Sequence, residues 1–458
     1  MRPGRLVANL ESPLPATLPA GRGTAVFCYG TCFHTDAAVA GLELVVDGVR
    51  HPPAAARMPR PDVPGAARGG FWGTVPIAAR EPGFVELAVI ARMAGGGSQT
   101  APLGRIAVVA PAPPASAPPV EDGLIAICMA TYEPDPDLFR AQVESLRAQT
   151  HSPWTCAISD DSSGPDRFAA ILAEVDGDPR FVVSRAERRL GFYRNFERVL
   201  ALAPPEAELL ALCDQDDRWY PEKLAVLRAA LGDRFSLAYS DQRLVDVHGR
   251  VLRDTLWRGR RNNHTDLASL LVANSVTGAA TLFTREVADL ALPFPDTPGL
   301  QFHDHWLGLV ALAAGDVAYV DRPLYDYVQH RGAVFGDVMG GERSPRRLLR
   351  GGRGAYFLGY AAREVQAQAL LVRCASVLTP SKRRGLERYV AAERSPLALA
   401  WLAARAVRSR KETLGSELEL VRGIAWRRLV QILGRGDASF PEPLSFEQRR
   451  LRRWRARV

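Results

Sequence analysis

The chain has 458 residues and a mass of 49.9 kDa, which at roughly 100–200 residues per domain implies two to four domains. A hydrophobic fraction of 47% beside 24% charged residues excludes a collagen, a disordered chain and a disulfide-rich mini-fold. The net charge of +8 hides an asymmetry: residues 343–458 carry 26 Lys and Arg against 9 Asp and Glu, a net of +17, while residues 1–342 carry a net of −9. A basic tail on an acidic body calls for an anionic partner. The cysteines (Cys28, Cys32, Cys128, Cys156, Cys213, Cys374) are too scattered for a disulfide framework, and Cys28 and Cys32 lack the second pair of a zinc site. They read as reduced core thiols. The longest apolar runs, such as Trp306 to Ala314, stop short of the ~20 residues of a membrane span. Arg2 and Arg5 are followed by Glu11 and prolines rather than a signal-peptide apolar region, so the expected location is the cytoplasm.

Residues 22–110 read as strands. Leu42, Leu44 and Val46 alternate with Glu43, Val45 and Asp47, and Asp47-Gly48 supplies a turn before Val49. Phe71 to Ile77, Phe84 to Ile90 and Arg105 to Val109 are further extended runs, with a turn at Gly95-Gly96-Gly97. The expectation is a small β-sandwich over 1–110 that packs and spaces its neighbour, with sugar or polymer binding as the other reading. Residues 111–122 contain a Pro-rich, stiff linker. From 123 to about 340 strands and helices alternate. Leu124–Met129, Trp154–Ser159, Phe181–Ser184 and Leu209–Cys213 are strands; Leu138–Gln149, Arg167–Val175 and Leu190–Leu202 are helices. That alternation predicts an α/β domain with a mostly parallel sheet and its chemistry at the carboxyl ends of the strands. Residues 341–458 read as a basic helical region, with Pro396 breaking its second helix.

The sharpest cluster is Cys213-Asp214-Gln215-Asp216-Asp217-Arg218-Trp219-Tyr220-Pro221, directly after an apolar strand. On an extended backbone Asp214 and Asp216 point the same way. Acids this close repel unless a cation neutralises them, and oxygen-only ligands favour Mg²⁺ or Mn²⁺. The plainer reading is a cap cluster for the helix begun at Pro221. A second acidic turn, Ser159-Asp160-Asp161-Ser162-Ser163-Gly164, also follows a strand; its carboxylates suit a nucleobase N–H, and it is equally an ordinary turn. Asp304, in Phe302-His303-Asp304-His305-Trp306, sits where a helix begins, so capping is its plain reading.

Together these pieces resemble the inverting family 2 glycosyltransferases of the GT-A fold. The matching residues are Ile127 to Tyr132, Gln149-Thr150, Ser159 to Ser163, Leu190-Gly191 with Arg194-Asn195, and Asp214 to Asp217 with Pro221 to Leu224. The resemblance covers about residues 123–335. Its nearest subgroup is the bacterial rhamnosyltransferase-like enzymes of surface-polysaccharide assembly, on the form of Asp214-Gln215-Asp216-Asp217, Val276-Thr277-Gly278-Ala279, the Asp304 segment and Tyr327 to His330. The resemblance implies a nucleotide-diphosphate sugar donor (UDP- or dTDP-sugar) and a glycan or polyprenyl-linked acceptor. Thr131 and Tyr132 would lie by the nucleotide, Asp161 would bind the base, and Arg194 and Asn195 would lie near the sugar diphosphate. Asp214 and Asp216 would hold ribose and a divalent metal, with His330 a late metal or diphosphate ligand. Asp304 would be the catalytic base. Asp217, Trp219, Thr277, Gly278, His303, His305 and Trp306 would lie near acceptor or donor sugar. No Gln-x-x-Arg-Trp element is present, which argues against a processive synthase.

Two alternatives stand beside this reading: a galactofuranosyltransferase-type enzyme, and a non-catalytic glycan- or lipid-binding protein on a GT-A scaffold. The tail has no nucleic-acid-binding module, so no nucleic acid is expected. Its charge, with Trp454 inside Arg449 to Arg455, fits an anionic membrane surface and a peripheral place on the inner membrane face. The other use for these arginines is pairing with the acidic body across a domain interface.

Overall fold

The computed structural model describes residues 4–110, 123–256, 263–299, 301–330, 352–409, 413 and 415–433. The linker over 111–119 and the run Arg449 to Arg455 lie outside the described residues. The first unit is a sandwich of two sheets. One has the strand order Leu6–Leu10, Thr24–His34, Gly70–Ile77, Ala55–Met58; the other runs Thr17–Pro19, Ser98–Val109, Gly83–Met93, Val39–Val46, Val49–His51. Strict alternation explains the packing: Val85, Leu87, Val89 and Ala91 point inward beside Leu44, Val46, Ile106 and Val108 of their own sheet, in one core with Val26, Cys28, Phe71 and Val75 of the other. Asp47 and Gly48 both take positive φ, as the tight hairpin predicted between them demands.

The second unit is built on a larger mixed sheet. Its strand order is Phe181–Arg185, Trp154–Asp160, Ile125–Thr131, Leu209–Cys213, Thr281–Thr284, Phe235–Asp246, Asp316–Gln329, Arg218–Trp219. The first four strands are parallel, as the alternation predicts. Thr281–Thr284 then enters antiparallel, and the sheet becomes mixed. Helices Pro136–Arg147, Pro165–Val175 and Phe192–Leu202 make the crossovers. The carboxyl ends of Ile125–Thr131, Trp154–Asp160 and Leu209–Cys213 therefore open on one edge.

The third unit is helical, comprising Gly352–Arg373, Pro380–Ala391, Pro396–Arg408 and Ser416–Ile432. Pro396 opens a helix rather than kinking one: Ser395 caps it by accepting from the Ala398 N–H. All six cysteines are buried free thiols. No helix among the described residues is long and apolar enough to cross a membrane.

The units share one core. The sandwich turns Phe27 and Trp72 outward, and Trp72 packs edge-on against Tyr356 and Phe357 at 5.8 and 5.2 Å. Arg373 ties all three units together. Its Nε donates to the Gly23 carbonyl at 2.8 Å, and its Nη1 donates to the Ala291 and Pro293 carbonyls at 2.8 and 2.7 Å. Burial lowers its pKa to about 10, so at neutral pH it keeps its charge. Arg373→Met keeps the stem but leaves those carbonyls unpaired. The expected loss is about 3–5 kcal/mol in urea unfolding; a loss below ~1 kcal/mol would show that water replaces the guanidinium.

Candidate active site

Strand ends and crossover turns meet in a stitched floor. Thr131, 1% exposed, donates its hydroxyl to Asp160 Oδ1 at 3.3 Å. Asp160 also accepts from the Ser163 N–H and hydroxyl at 3.0 and 2.5 Å. Asn195 donates to the Thr131 and Ser159 carbonyls at 3.2 and 2.9 Å and accepts from the Ser159 hydroxyl at 2.6 Å. Its amide is thus engaged in holding two strand ends together. Asp161 accepts from the Leu190 and Gly191 N–H groups at 2.5 and 2.9 Å. It is 2% exposed and fixes the turn into helix Phe192–Leu202, where Gly191 takes φ +85°. Arg194 pairs with Glu197 and with Asp296 at 2.6 Å, and donates to the Phe294 carbonyl at 2.9 Å. Its guanidinium braces the 294–296 loop. Above this floor Tyr132 is 37% exposed, with the Arg189 guanidinium over its ring at 4.1 Å.

The acidic loop does not continue the strand. The backbone bends at Gln215 and Asp216, so the expected alternation of Asp214 and Asp216 is lost. The cause is Gln215, whose amide pairs with the Tyr132 backbone, accepting from its N–H at 2.8 Å and donating to its carbonyl at 3.2 Å. Asp217 turns fully inward and accepts from the Val328 N–H at 3.3 Å. Two residues beyond Val328, His330 Nε2 meets Asp216 Oδ2 at 2.8 Å. Burial, with the Asp216 and Asp304 charges, pushes the Asp214 carboxyl up to about 7. Burial and the Asp214 and Asp216 charges push Asp217 well above the usual range. The hydrogen bond to Asp216 raises His330.

The basic side chain inside this cluster is Lys223, which the sequence reading treats only as part of a helix start; burial pulls its pKa well below the ordinary lysine value, against the Asp217 and Asp214 charges, which raise it. It is 0% exposed, sits 3.2 Å from the Trp219 ring centroid and 4.7 Å from that of Tyr325, and donates to the Ala279 carbonyl. Its position four before Leu227, on the buried side of helix Lys223–Leu231, was the available signal. Trp219, 3% exposed, forms one wall around the Lys223 amine.

Asp304 opens helix His303–Ala314 and remains partly exposed. Its Oδ1 accepts from the Asn274 amide at 3.1 Å and the His305 N–H at 2.6 Å. Burial pushes its carboxyl up to about 6, against those donors and the Gly278 N–H, which lower it. Thr277 precedes the short turn Gly278–Ala280 under this carboxylate. A Cβ on Gly278 would come within 2.6 Å of His303 Nε2, so only glycine fits there. Asn274, with no periodic or charge signal in the sequence, is the residue that orients Asp304. His305 shares a hydrogen bond at 2.8 Å with the Leu270 carbonyl, and Trp306 donates to the Ala291 carbonyl at 2.8 Å; both are buried and anchor the helix. His303 stacks on Phe196 at 3.6 Å, and burial lowers its pKa to about 3, so it stays neutral.

The donor set fits a divalent cation in one respect. A carboxylate oxygen of Asp216 and an imidazole nitrogen of His330 already converge, beside a loop whose other acids have pKa values raised by burial first and by neighbouring carboxylates second. No three His, Cys, Asp or Glu side chains converge as a preformed metal cage among the described residues. Two protein ligands completed by ligand phosphates are what Mg²⁺ commonly takes.

Asp214 and Asp304 have native pKa values of about 7 and about 6 against 3.8 for a free carboxyl. Between those limits the native state holds protons that the unfolded state has released, so stability falls as pH rises through about 4 to 7. Asp304→Asn removes one of these groups. Its stability relative to the parent, read from urea midpoints, is expected to rise as pH passes from about 4 to above 6. A difference independent of pH would place the native Asp304 pKa near that of the unfolded chain.

Residues 126–289 match the family described as Glycosyl transferase family 2. A protein of Sinorhizobium fredii (strain NBRC 101917 / NGR234), described as uncharacterized protein y4gI, is 29% identical over 105 residues, which is 23% of this chain and 11% of that protein. The chain thus matches only about a tenth of that relative's length. Among solved structures, TarS residues 1–349 of S. aureus in complex with UDP-GlcNAc align with a TM-score of 0.41 at 12% identity, over 68% of this chain and 92% of that one. The mannosyltransferase PcManGT of Pyrobaculum calidifontis, in complex with GDP-Man and Mn²⁺, aligns with a TM-score of 0.38 at 15% identity, over 68% and 87%. With its parallel half-sheet opening on the acidic loop, the segment 126–289 is a family 2 glycosyltransferase domain of the GT-A fold.

Proposed function

We propose that the protein is a metal-dependent, inverting transferase that moves a sugar from a nucleotide diphosphate to a hydroxyl of a glycan or polyprenyl-linked acceptor in surface-polysaccharide synthesis. The observation that carries this reading is Asp304. It is a partly exposed carboxylate at a helix N-terminus, fixed by Asn274, with its pKa raised to about 6 and with Asp214 near enough to feel its charge. A base poised just below neutral pH suits removal of a hydroxyl proton.

In this reading the nucleobase stacks at Tyr132, whose exposed face and Arg189 cover offer a planar site. Asp216 and His330 would hold the divalent ion, Mg²⁺ or Mn²⁺, with Asp214 beside them. That ion would offset charge on the leaving diphosphate. Asp304 takes the proton from the acceptor hydroxyl as its oxygen forms the new bond to the anomeric carbon. The bond from that carbon to the diphosphate oxygen breaks in the same displacement, releasing the nucleoside diphosphate and inverting the centre. Asp304 then returns its proton to solvent. Asn195, Asp161 and Arg194 serve as positioning residues: Asn195 holds the strand ends, Asp161 the turn at 190–191 and Arg194 the 294–296 loop.

A panel of nucleotide sugars with Mg²⁺ or Mn²⁺, scored by thermal shift, tests the donor, since a ligand of the native state raises Tm by mass action. Asp216→Asn is expected to abolish the metal-dependent part of that shift. Asp304→Asn is expected to lose about 10²–10⁴-fold in kcat while keeping the donor shift. Normal turnover by that variant would make Asp304 a helix cap. For the parent enzyme kcat/KM should rise with pH through about 6. Asn274→Ala removes a donor that lowers this pKa, so its acid limb should lie at higher pH, a displacement that loss of folded protein alone would not produce.

A further inference from the structure

Helix Pro396–Arg408 is apolar on both sides. Its inward face, Ala398, Leu402 and Ala406, is buried. Its outward face is Leu397, Ala400, Ala404 and Val407, with Leu397 and Val407 each 84% exposed. A surface helix of a soluble domain ordinarily turns charge to water, and one that is apolar all round is covered by something. The neighbouring helix Ser416–Ile432 packs on it and repeats the pattern, exposing Leu418, Ala425, Leu429 and Ile432 at the helical repeat, at 60% for Leu418, 54% for Leu429 and 81% for Ile432.

The charge around these stripes is mainly of one sign. Arg384, Arg388, Arg394 and Arg408 are exposed on the adjoining helices and connections, against Glu387 and Glu419. Between Pro380–Ala391 and Pro396–Arg408 runs a groove of about 580 Å³ with Arg384, Glu387 and Arg388 on one helix and Leu397, Ala398 and Trp401 on the other. Guanidinium groups beside an aliphatic and indole floor match a phosphate headgroup with the first methylenes below it. By contrast, the arginines that face inward are engaged: Arg363 and Arg373 on backbone carbonyls, Arg405 on Asp266 and Ser269.

We infer that the outward faces of helices 396–408 and 416–432 form a docking surface for an anionic lipid bilayer, with Leu397, Val407 and Ile432 entering the interface and Arg384 and Arg388 taking headgroup phosphates. Charge selects this occupant over the others. A second copy would bring the same arginines against themselves. Residues 434–458 carry 7 Arg against 3 Asp and Glu, so that segment is also of like sign. The inference deepens the acceptor side of the proposed function, and vesicle binding and sugar transfer are read separately, so either can fail alone.

The full chain is mixed with phosphatidylcholine vesicles, with and without phosphatidylglycerol, and separated by flotation. Binding is expected only with phosphatidylglycerol and should weaken as salt rises. Leu397→Asp with Val407→Asp, both changes on exposed positions, should weaken it by more than about tenfold with Tm and donor shift unchanged. Arg384→Gln with Arg388→Gln should lose roughly thirtyfold, at about 1 kcal/mol per residue. No binding by the parent chain, or equal binding by the Leu397/Val407 variant, overturns the inference. So does a parent dimer in sedimentation velocity that this variant makes monomeric, since the face would then belong to a second copy.

Discussion

The site is governed by like-charge crowding. Asp214, Asp216, Asp217 and Asp304 are brought into mutual electrostatic range by one loop and one helix start, and burial makes each ionised member costly. The fold answers in three ways. Lys223 places a buried amine among them, held over Trp219 and Tyr325, with burial pulling its pKa well below the ordinary lysine value. Backbone N–H groups of Val328 and His305 and the amide of Asn274 supply partial positive charge. His330 stands against Asp216. Each answer fixes geometry as well as charge. Because Asp217 pins Val328, the long strand Asp316–Gln329 can deliver His330 to a loop more than a hundred residues earlier.

Arginine does the same work at larger scale in the helical region. Arg373 and Arg427 reach backbone carbonyls across unit boundaries, Arg427 to Ala54 at 3.0 Å, and both guanidinium groups lie over indole rings, of Trp306 and Trp72 respectively. A planar fork with five donors can satisfy several carbonyls at one junction where lysine could satisfy fewer in fixed directions. Much of the positive charge read from the composition is therefore structural in residues 352–433. It is consistent with pairing across an interface, though its partners are carbonyls more often than the acids of the body.

The parallel half of the sheet was legible because its strands are continuous apolar runs of strand length. Ile125 to Met129 and Leu210 to Cys213 are buried on both faces and could not alternate. The sandwich was legible for the opposite reason, its strict alternation. Less legible was which polar side chains face the cleft. Asn195 and Arg194 follow the order of the resembling family, yet their hydrogen bonds run to carbonyls and carboxylates that only the tertiary fold brings near. Trp306 and His305 flank Asp304 in sequence, but a helix turns about 100° per residue, so neighbours of a cleft residue point away from it. Lys223 was hidden by its residue type, because lysine is rarely buried without a partner, and its partners lie on the 214–217 loop and the 278–280 turn.

That turn also explains how a stable scaffold can hold a reactive carboxylate. Helix His303–Ala314 is buried along nearly its whole length, so its direction is fixed by packing and not by the charge at its start. Asp304 extends from the one end that meets the cleft, where the helix dipole favours its ionised form and burial opposes it. Its setting rests on two short elements, the Asn274 loop above Val276 and the Gly278 turn against His303, and Lys223 grips the same turn at Ala279. The buried Lys223 amine and the carboxylate that would act as base are thereby joined through three consecutive residues, 277 to 279. A shift of the acidic loop would reach Asp304 through that turn rather than through the rigid helix.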